Sequence, residues 1–538
     1  MNVNELQRAQ PKARARGMRA AHRFAAWIIA SATGDSTARL TAMIFVLAHA
    51  ALWTLILTVL KASQDVHFDT SEAYAWGQQF LLGYGKHPPL SGWIAGIWFR
   101  LVPPADWSAY GLAMATCGVA LFVSWEIAQR VVDRRRAFFA LVLLSLYPIL
   151  NFKGYKYNAD LAQLATLPLI VLAYLHAFEK RTAMSGVWLG LAAAAGMLTK
   201  YWAATMIGGV GLAALLHPER MAYLRSSAPW VAIAVFLLAM SPHLWWLYQV
   251  DFAPFAYAGA FYASPSQIAS SATILGFLTH NLALLSPVVL LGLLALAIRV
   301  PGGRKFLPGL LPLKGGANKG VNLSQALNVW IIQVAVVVAP LLAGLAYSIH
   351  VKTDWGIPLF FLVPLALIAI PAVRVPKAAV FNVLLIWLIA SAGSLALAPR
   401  LASESFARAK QSVGAFVPSS GLARQLTRMW HMRFPGKWPV VASFTEASSQ
   451  MAFYSPDHPA PLELGDAWTA GLATLDKAKA SGFIGVCDEL DPRLAECRAW
   501  MAEHAAGAEH LTISERRFHK GVMGPKGTWQ VYIVPPAR

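Results

Sequence analysis

Between residues 61 and 108 the chain gathers Asp65, His67, Asp69, Glu72, Tyr74 and Trp76, followed by Gly83-Tyr84-Gly85-Lys86-His87-Pro88-Pro89. Asp69 and Glu72 are spaced i, i+3, which puts both carboxylates on one face of a helix. An acid beside a membrane surface and among aromatic rings suits a general base or a metal ligand. A solvated loop with an aromatic belt has the same composition. A second group runs from Asn151 to Asp160 and holds Lys153 and Lys156, cations fit to meet an anionic lipid phosphate, whether of a substrate or of an ordinary headgroup. Lys200 interrupts a long apolar run at Thr199-Lys200-Tyr201. An isolated ammonium there either pairs with something or binds a substrate, or snorkels to the interface. Pro242-His243, Asp251, His280-Asn281 and His350 to Trp355 are weaker candidates, each equally an interfacial anchor. The histidines have no metal-type spacing, so a divalent metal is possible but not implied by them. There is no Walker loop, dinucleotide fingerprint or Gly-x-Ser-x-Gly, which argues against a nucleotide-driven pump.

What must position these groups is a membrane bundle. The 538 residues are 57% hydrophobic and 13% charged, with a mean hydropathy of +0.50. Soluble domains carry roughly 25% charged residues, and lipid is the solvent that tolerates the deficit. Apolar runs fit spans at 40–60, 109–128, 137–151, 160–178, 228–248, 274–298, 327–348, 355–372 and 378–398. The run 186–216 is too long for one straight helix and is read as two short helices forming a hairpin broken at Lys200. The total is about eleven spans, at about 20 apolar residues each.

The net charge of +19 is distributed in short loops, which is the positive-inside pattern and not a nucleic-acid surface. With the N-terminus in the cytoplasm, Arg130, Arg134, Arg135, Arg136, Lys180, Arg181, Arg220, Arg225, Arg299, Arg304, Lys305, Lys314, Lys319, Arg374 and Lys377 fall inside. The loops 61–108, 152–159, 249–273 and 349–354 fall outside with most of the unusual polar residues. The basic segment 1–38, with Lys12, Arg14, Arg16, Arg19 and Arg23, is then cytoplasmic, and the first long apolar run reads as a retained helix. Residues 39–399 form the membrane domain. The tail, 400–538, reads as an outer, periplasmic α/β domain, with strand-like runs at 438–444, 483–486 and 530–534 and helical patterns at 402–412, 420–431 and 492–505. Cys117 lies in an apolar run. Cys487 and Cys497 in the tail either pair, given an oxidising compartment, or stay as free thiols. The one biased segment is 301–320, rich in Gly, Pro and Lys.

Glu72-Ala73-Tyr74-Ala75-Trp76 followed by Gly83-Tyr84-Gly85-Lys86-His87-Pro88-Pro89-Leu90 resembles the first outer loop of bacterial family-39-type glycosyltransferases. That loop typically has an acidic pair before Ala-Tyr-Tyr-Trp and then Gly-Tyr-Tyr-x-His-Pro-Pro-Leu. Leu198-Thr199-Lys200-Tyr201 resembles the family's Leu-Ser-Lys-Tyr turn. Asn158-Ala159-Asp160 stands where the family has Thr-Pro-Asp, and Asp354-Trp355-x-x-Pro358 is similar to its late Asn-Trp-x-x-Pro. Tyr454-Ser455-Pro456-Asp457 resembles a segment of the outer domain in some members. The family is similar to the protein mannosyltransferases and the lipid A aminoarabinose transferase, and it has the C-type (GT-C) membrane glycosyltransferase fold. The resemblance implies a mainly α transmembrane bundle of the bacterial inner membrane, a polyprenyl-phosphate sugar donor, and chemistry on the outer face with a first-loop acid as base. The motif positions Lys86, His87, Asp160, Lys200 and Tyr201 then join Lys153 and Lys156 of the second outer loop as the expected substrate-binding residues. One departure matters: the first acid of the family's pair falls on Ser71, so the base is Glu72, which is kept, or Asp69 two residues before the gap.

The reaction implied is an inverting displacement. Asp69 or Glu72 takes the proton of an acceptor hydroxyl as it attacks the anomeric carbon, and Lys86, Lys156 and Lys200 meet the charge developing on the lipid phosphate. The acceptor is a lipid, a polysaccharide or a protein. Two other classes stay open: a polytopic secondary transporter, which would show matching halves and midplane polar groups, and a non-catalytic envelope scaffold.

Overall fold

The computed structural model describes residues 26–264, 266–297, 320–465 and 472–537. The basic positions expected before residue 26, and the segment 301–320 apart from Gly320, lie outside the described residues.

Among the described residues seven helices are long and apolar enough to cross a membrane: Ala38–Leu60, Asp106–Val131, Ala159–Lys180, Ala228–Gln249, Gln267–Ala297, Leu323–Tyr347 and Lys377–Arg408. The apolar segments Ala183–Thr199, Tyr201–Leu216 and Thr353–Ile368 are shorter. This is a multi-pass membrane protein. Ala159–Lys180 is its innermost helix, with Leu164, Leu167, Val171, Tyr174 and Leu175 all buried. It packs between Asp106–Val131 and Ala183–Thr199. Ala228–Gln249 is the opposite case: Leu237, Leu238, Trp245 and Tyr248 stand exposed, a surface that only lipid makes tolerable. Close helix pairing uses small residues. A Cβ at Gly190 would lie 2.6 Å from the Ala232 carbonyl oxygen of the neighbouring helix.

Three expected spans are shorter or more broken than their apolar runs. The run 137–151 holds the helix Arg134–Leu144 and a single 3-10 turn, Pro148–Leu150. Pro148 supplies no N–H to continue the ladder, and the Asn151 amide donates to the freed carbonyls of Ser145 and Tyr147 at 3.3 and 3.0 Å. The run 355–372 is divided into Thr353–Gly356, Ile357–Phe360 and Val363–Ile368, with Pro358 and Pro364 at the piece starts. The run 186–216 breaks at Lys200 as expected, into Ala183–Thr199 and Ala204–Leu216. The two legs do not form a closed hairpin, however: the first packs mainly on Ala228–Gln249 and the second on Leu323–Tyr347.

Polar contacts sort the loops into two ends. One end joins Arg130 to Glu179, Arg181 to Glu219, and Asp133 to Gly320. The other joins Asp69 to Asn158, Lys200 to Asp160, and Lys156 to Asp354. The loop 61–108 and Lys200 therefore lie at the same end, as a shared pocket requires.

The tail is an α/β unit. Its strands are β1 (Val440–Ser443), β2 (Ala460–Glu463), β3 (Phe483–Asp488), β4 (Glu509–His519) and β5 (Val522–Val534), in the order β2-β1-β3-β5-β4. β1 runs parallel to β2 and β3, while β3–β5 and β5–β4 are antiparallel. Trp430, Trp438, Trp529, Val441 and Ile484 fill one side of the sheet. Cys487 of β3 is disulfide-bonded to Cys497 of the helix Leu494–His504, and Cys117 is free and buried. The expected helices 420–431 and 492–505 are present as Ser419–His431 and Leu494–His504. The separate helix expected at 402–412 is not: Lys377–Arg408 runs unbroken through Pro399, so residue 400 falls inside a helix and not at a linker.

The tail is seated on the loop 61–108. The Arg517 guanidinium donates to Asp65, whose other oxygen accepts from the Ser420 N–H at 3.0 Å. The Tyr454 hydroxyl donates to Asp106 at 2.7 Å and accepts from the Val66 N–H at 2.7 Å. Asp65 and Tyr454 sit deep in this seam, so these bonds answer polar groups that would otherwise be stranded.

Candidate functional site

The helix Phe68–Gly77 carries both candidate acids. It starts at His67, whose Nδ1 accepts the Asp69 N–H at 3.2 Å. Burial, reinforced by Lys156 and Lys61 and only partly offset by Asp69, keeps the His67 imidazole below its ordinary value. The i, i+3 spacing brings Asp69 and Glu72 near one another, but they do not open on one space.

Asp69 turns toward the loop 152–159. Its Oδ2 accepts from the Asn158 amide at 2.8 Å and lies 3.7 Å from Lys156 Nζ. Lys156 also reaches Asp354 at 3.6 Å. Asn158 is fixed because it caps the helix Ala159–Lys180, accepting from the Leu161 N–H at 2.9 Å. Burial pushes the Asp69 carboxyl up, but His67, Lys156 and Asn158 together outweigh it and hold the carboxyl below its ordinary value. Beside this group lies a cavity of about 210 Å³, lined by Lys153, Lys156, Asn158, Asp160, His280 and Asp354 among others. At its edge Lys200 Nζ donates to Asp160 at 2.6 Å and sits 5.5 Å above the Trp355 ring.

Glu72 turns the other way, toward the tail. Its carboxylate is 2.5 Å from Lys86 Nζ, and its side chain is 7% exposed. Lys86 is presented by a tight turn in which Tyr84 and His87 exchange two backbone bonds of 2.9 and 2.6 Å. The turn is braced by Tyr84 stacking on Trp76 at 5.1 Å. Burial drives the Glu72 carboxyl up to about 7 against the pull of Lys86. Burial also disfavours the Lys86 charge, but the Glu72 carboxylate overcomes it and holds the ammonium above its ordinary value. A second cavity, of about 310 Å³, opens here between Glu72, Lys86, Trp76 and tail residues that include Phe444, Thr445 and Glu463.

Of the expected site residues, Lys153, Lys156 and Asp160 line the first cavity, with Asp69 held against Lys156 and Lys200 against Asp160 outside that lining, and Glu72 and Lys86 line the second. His87 lines neither. Its ring is packed edge-on against Trp76 at 5.8 Å. Burial first, then Lys200, Lys86 and Lys352, hold it well below its ordinary value and so neutral. Tyr201 is also turned away: its hydroxyl bonds His243 Nε2 at 2.9 Å and its ring stacks on Phe255. Among the described residues no group of three or more His, Cys, Asp or Glu is arranged to hold a metal ion. Sequence reasoning missed Glu463 and Thr445. Both lie more than 370 residues from Glu72 in the chain, and only the docked tail brings them close.

The family model described as dolichyl-phosphate-mannose-protein mannosyltransferase matches residues 86–246. Lipid A galacturonosyltransferase RgtD of Rhizobium johnstonii is 25% identical over 211 residues, 37% of this chain and 42% of that protein. The matched stretch thus spans less than half the length of that relative. Two crystal structures of ArnT from Cupriavidus metallidurans align over most of both chains. The one bound to undecaprenyl phosphate has a TM-score of 0.49 at 13% identity, covering 90% of this chain and 97% of that one. The apo form has 0.47 at 12% identity, covering 92% and 98%.

Proposed function

We propose that this protein is a membrane glycosyltransferase that moves a sugar from a polyprenyl-phosphate donor to an acceptor hydroxyl at the outer membrane face. The observation that carries the reading is a cavity at one end of an apolar bundle, lined by Lys153, Lys156 and Asp160, with Asp69 held against Lys156 and Lys200 against Asp160. The match to the mannosyltransferase family model and the similarity to a lipid A galacturonosyltransferase support the same class. They favour a lipid-phosphate donor and a lipid acceptor.

Asp69 is the base in this reading. It is held below its ordinary value, is 19% exposed in its side chain and contacts Lys156 and Asn158, which both line the cation-bearing cavity, whereas Glu72 is paired with Lys86 at 2.5 Å. Asp69 takes the acceptor O–H proton as the acceptor oxygen bonds to the anomeric carbon. The anomeric carbon–oxygen bond to phosphate breaks with its electron pair going to the phosphate, and the configuration inverts. Lys153 and Lys156 meet the phosphate charge, and Lys200, oriented by Asp160, adds to the positive field. The apolar bundle holds the prenyl chain. Lys86 fixes Glu72 and lines the second cavity.

The deciding experiment measures sugar transfer in proteoliposomes from a polyprenyl-phosphate sugar to extracted envelope lipids. Transfer by the wild type that disappears in Asp69→Asn supports the reading. Full activity of Asp69→Asn would remove it as base, and no transfer with any of a panel of lipid-linked sugars would favour a scaffold.

A further inference from the structure

The cavity between the helix Phe68–Gly77 and the tail has chemistry of its own. At about 310 Å³ it falls at the lower end of small-molecule sites. Its walls alternate aromatic faces with carboxylates, and its two cations are already committed. Lys86 is bound to Glu72, while Arg493 pairs with Glu446 at 3.1 Å and Asp491 at 2.9 Å and lies 3.9 Å over the Phe444 ring. A phosphate or carboxylate would find no free positive charge among these described residues. Glu463 is the telling group. Its Oε2 accepts from Thr445 Oγ1 at 3.0 Å, while its Oε1 is buried with no hydrogen-bond partner among the described residues. Buried polar atoms are nearly always paired, so this oxygen is placed for a hydroxyl that a ligand brings. Burial first, then the nearby Glu72, raises the Glu463 carboxyl to about 8, so at neutral pH it donates as well as accepts.

We infer that this cavity is a subsite for an uncharged or amino-bearing saccharide ring, held by Glu463 and Thr445 from the tail and by the aromatic wall at Trp76 and Phe444. Aromatic faces cover the apolar C–H faces of a sugar, and the paired carboxyl and hydroxyl answer its O–H groups. The inference deepens the transferase reading and rests on it for one point only, that the ring belongs to a substrate. It gives the tail a role: it completes the pocket that reads the sugar.

The test uses the full chain in nanodiscs and saturation-transfer NMR. The probes are methyl glycosides of glucose, galactose and glucosamine, with glucose 1-phosphate as the anionic comparison. The wild type should give ring-proton transfer for at least one glycoside and at least fivefold less for the phosphate. Glu463→Leu and Thr445→Val should each cut the glycoside signal at least fivefold at an unchanged melting temperature, and Glu463→Gln should keep at least half of it. Glycoside signal that survives both Glu463→Leu and Thr445→Val, or no signal for any glycoside, overturns the subsite. Displacement of the glycoside by a polyprenyl-phosphate sugar but not by polyprenyl phosphate assigns the ring to the donor; displacement by neither assigns it to the acceptor. Binding that obeys these variants in a protein without transferase activity would leave the subsite standing and remove the transferase reading alone.

Discussion

Asp69 and Glu72 occupy one turn of one helix, yet Asp69 is held by Lys156 and Asn158, which line a cavity at the loop 152–159, while Glu72 is paired with Lys86 on a second cavity under the tail. Both lose water on folding. Asp69 recovers the loss through Lys156, Asn158 and His67 and stays ionised, whereas Glu72 recovers less and is carried up to about 7. Identical chemistry three residues apart acquires different work because the walls differ: one belongs to the bundle, the other to the tail.

The comparison breaks first at Asp69. Asp69→Asn should lower kcat at least a hundredfold in the proteoliposome assay, the ordinary loss for an acid–base group. An effect under threefold would transfer the role to Glu72. Next come the cations: Lys156→Met and Lys200→Met should each cost about ten- to a hundredfold in kcat/KM, as expected for removing a charge-assisted contact to phosphate. Equal loss with uncharged substrate analogues would show that they only hold the fold. Glu72→Gln should cost about tenfold or less, since it loosens Lys86 without removing the base. Arg517→Met strands Asp65 in the seam between tail and loop. It should raise protease sensitivity of the tail and lower the melting temperature by a few degrees, a typical outcome of leaving a buried charge unpaired in a chain this large.

The smallest effect is one of pH. Glu463 titrates near 4.5 in the unfolded chain and at about 8 in the folded one. The folded form therefore holds a proton that the unfolded form has lost. Stability from this group is full below about pH 4.5 and is given up as pH rises toward 8. The melting temperature should fall between pH 6 and pH 8.5, and Glu463→Gln should flatten that fall. An unaltered slope would mean that the carboxyl is solvated and that the two regions differ less than their geometry says.

Much of this was legible from residues alone. Apolar run length marked the bundle because hydrocarbon imposes it, and the Thr199-Lys200-Tyr201 break stood out because a charge at depth is expensive. The loops with Asp69 and Lys156 and the helix break at Lys200 did converge at one end. The misses have local causes. Prolines 148, 358 and 364 shortened runs that composition alone reads as spans. β2 and β4 were passed over: β2 is only four residues long, and β4, Glu509–His519, is largely polar and lies at the sheet edge. Tyr201 and His87 match the family motifs, and the structure packs their rings on His243, Phe255 and Trp76 outside the lining of either cavity, a placement that spacing does not encode. The partnership of Glu463 with Glu72 depends on how the tail docks, and no pattern within either segment announces it.

The unbroken helix Lys377–Arg408 has 32 residues, so it is roughly 48 Å long at 1.5 Å per residue, while the hydrocarbon layer is about 30 Å thick. The surplus carries the helix past the hydrocarbon layer and into the tail, where the Ala402 carbonyl accepts from Ser63 Oγ at 3.0 Å. The tail is thus joined to the bundle by continuous helix and pinned beside it, so bundle and tail keep one geometry and bilayer thickness acts on them as a single body.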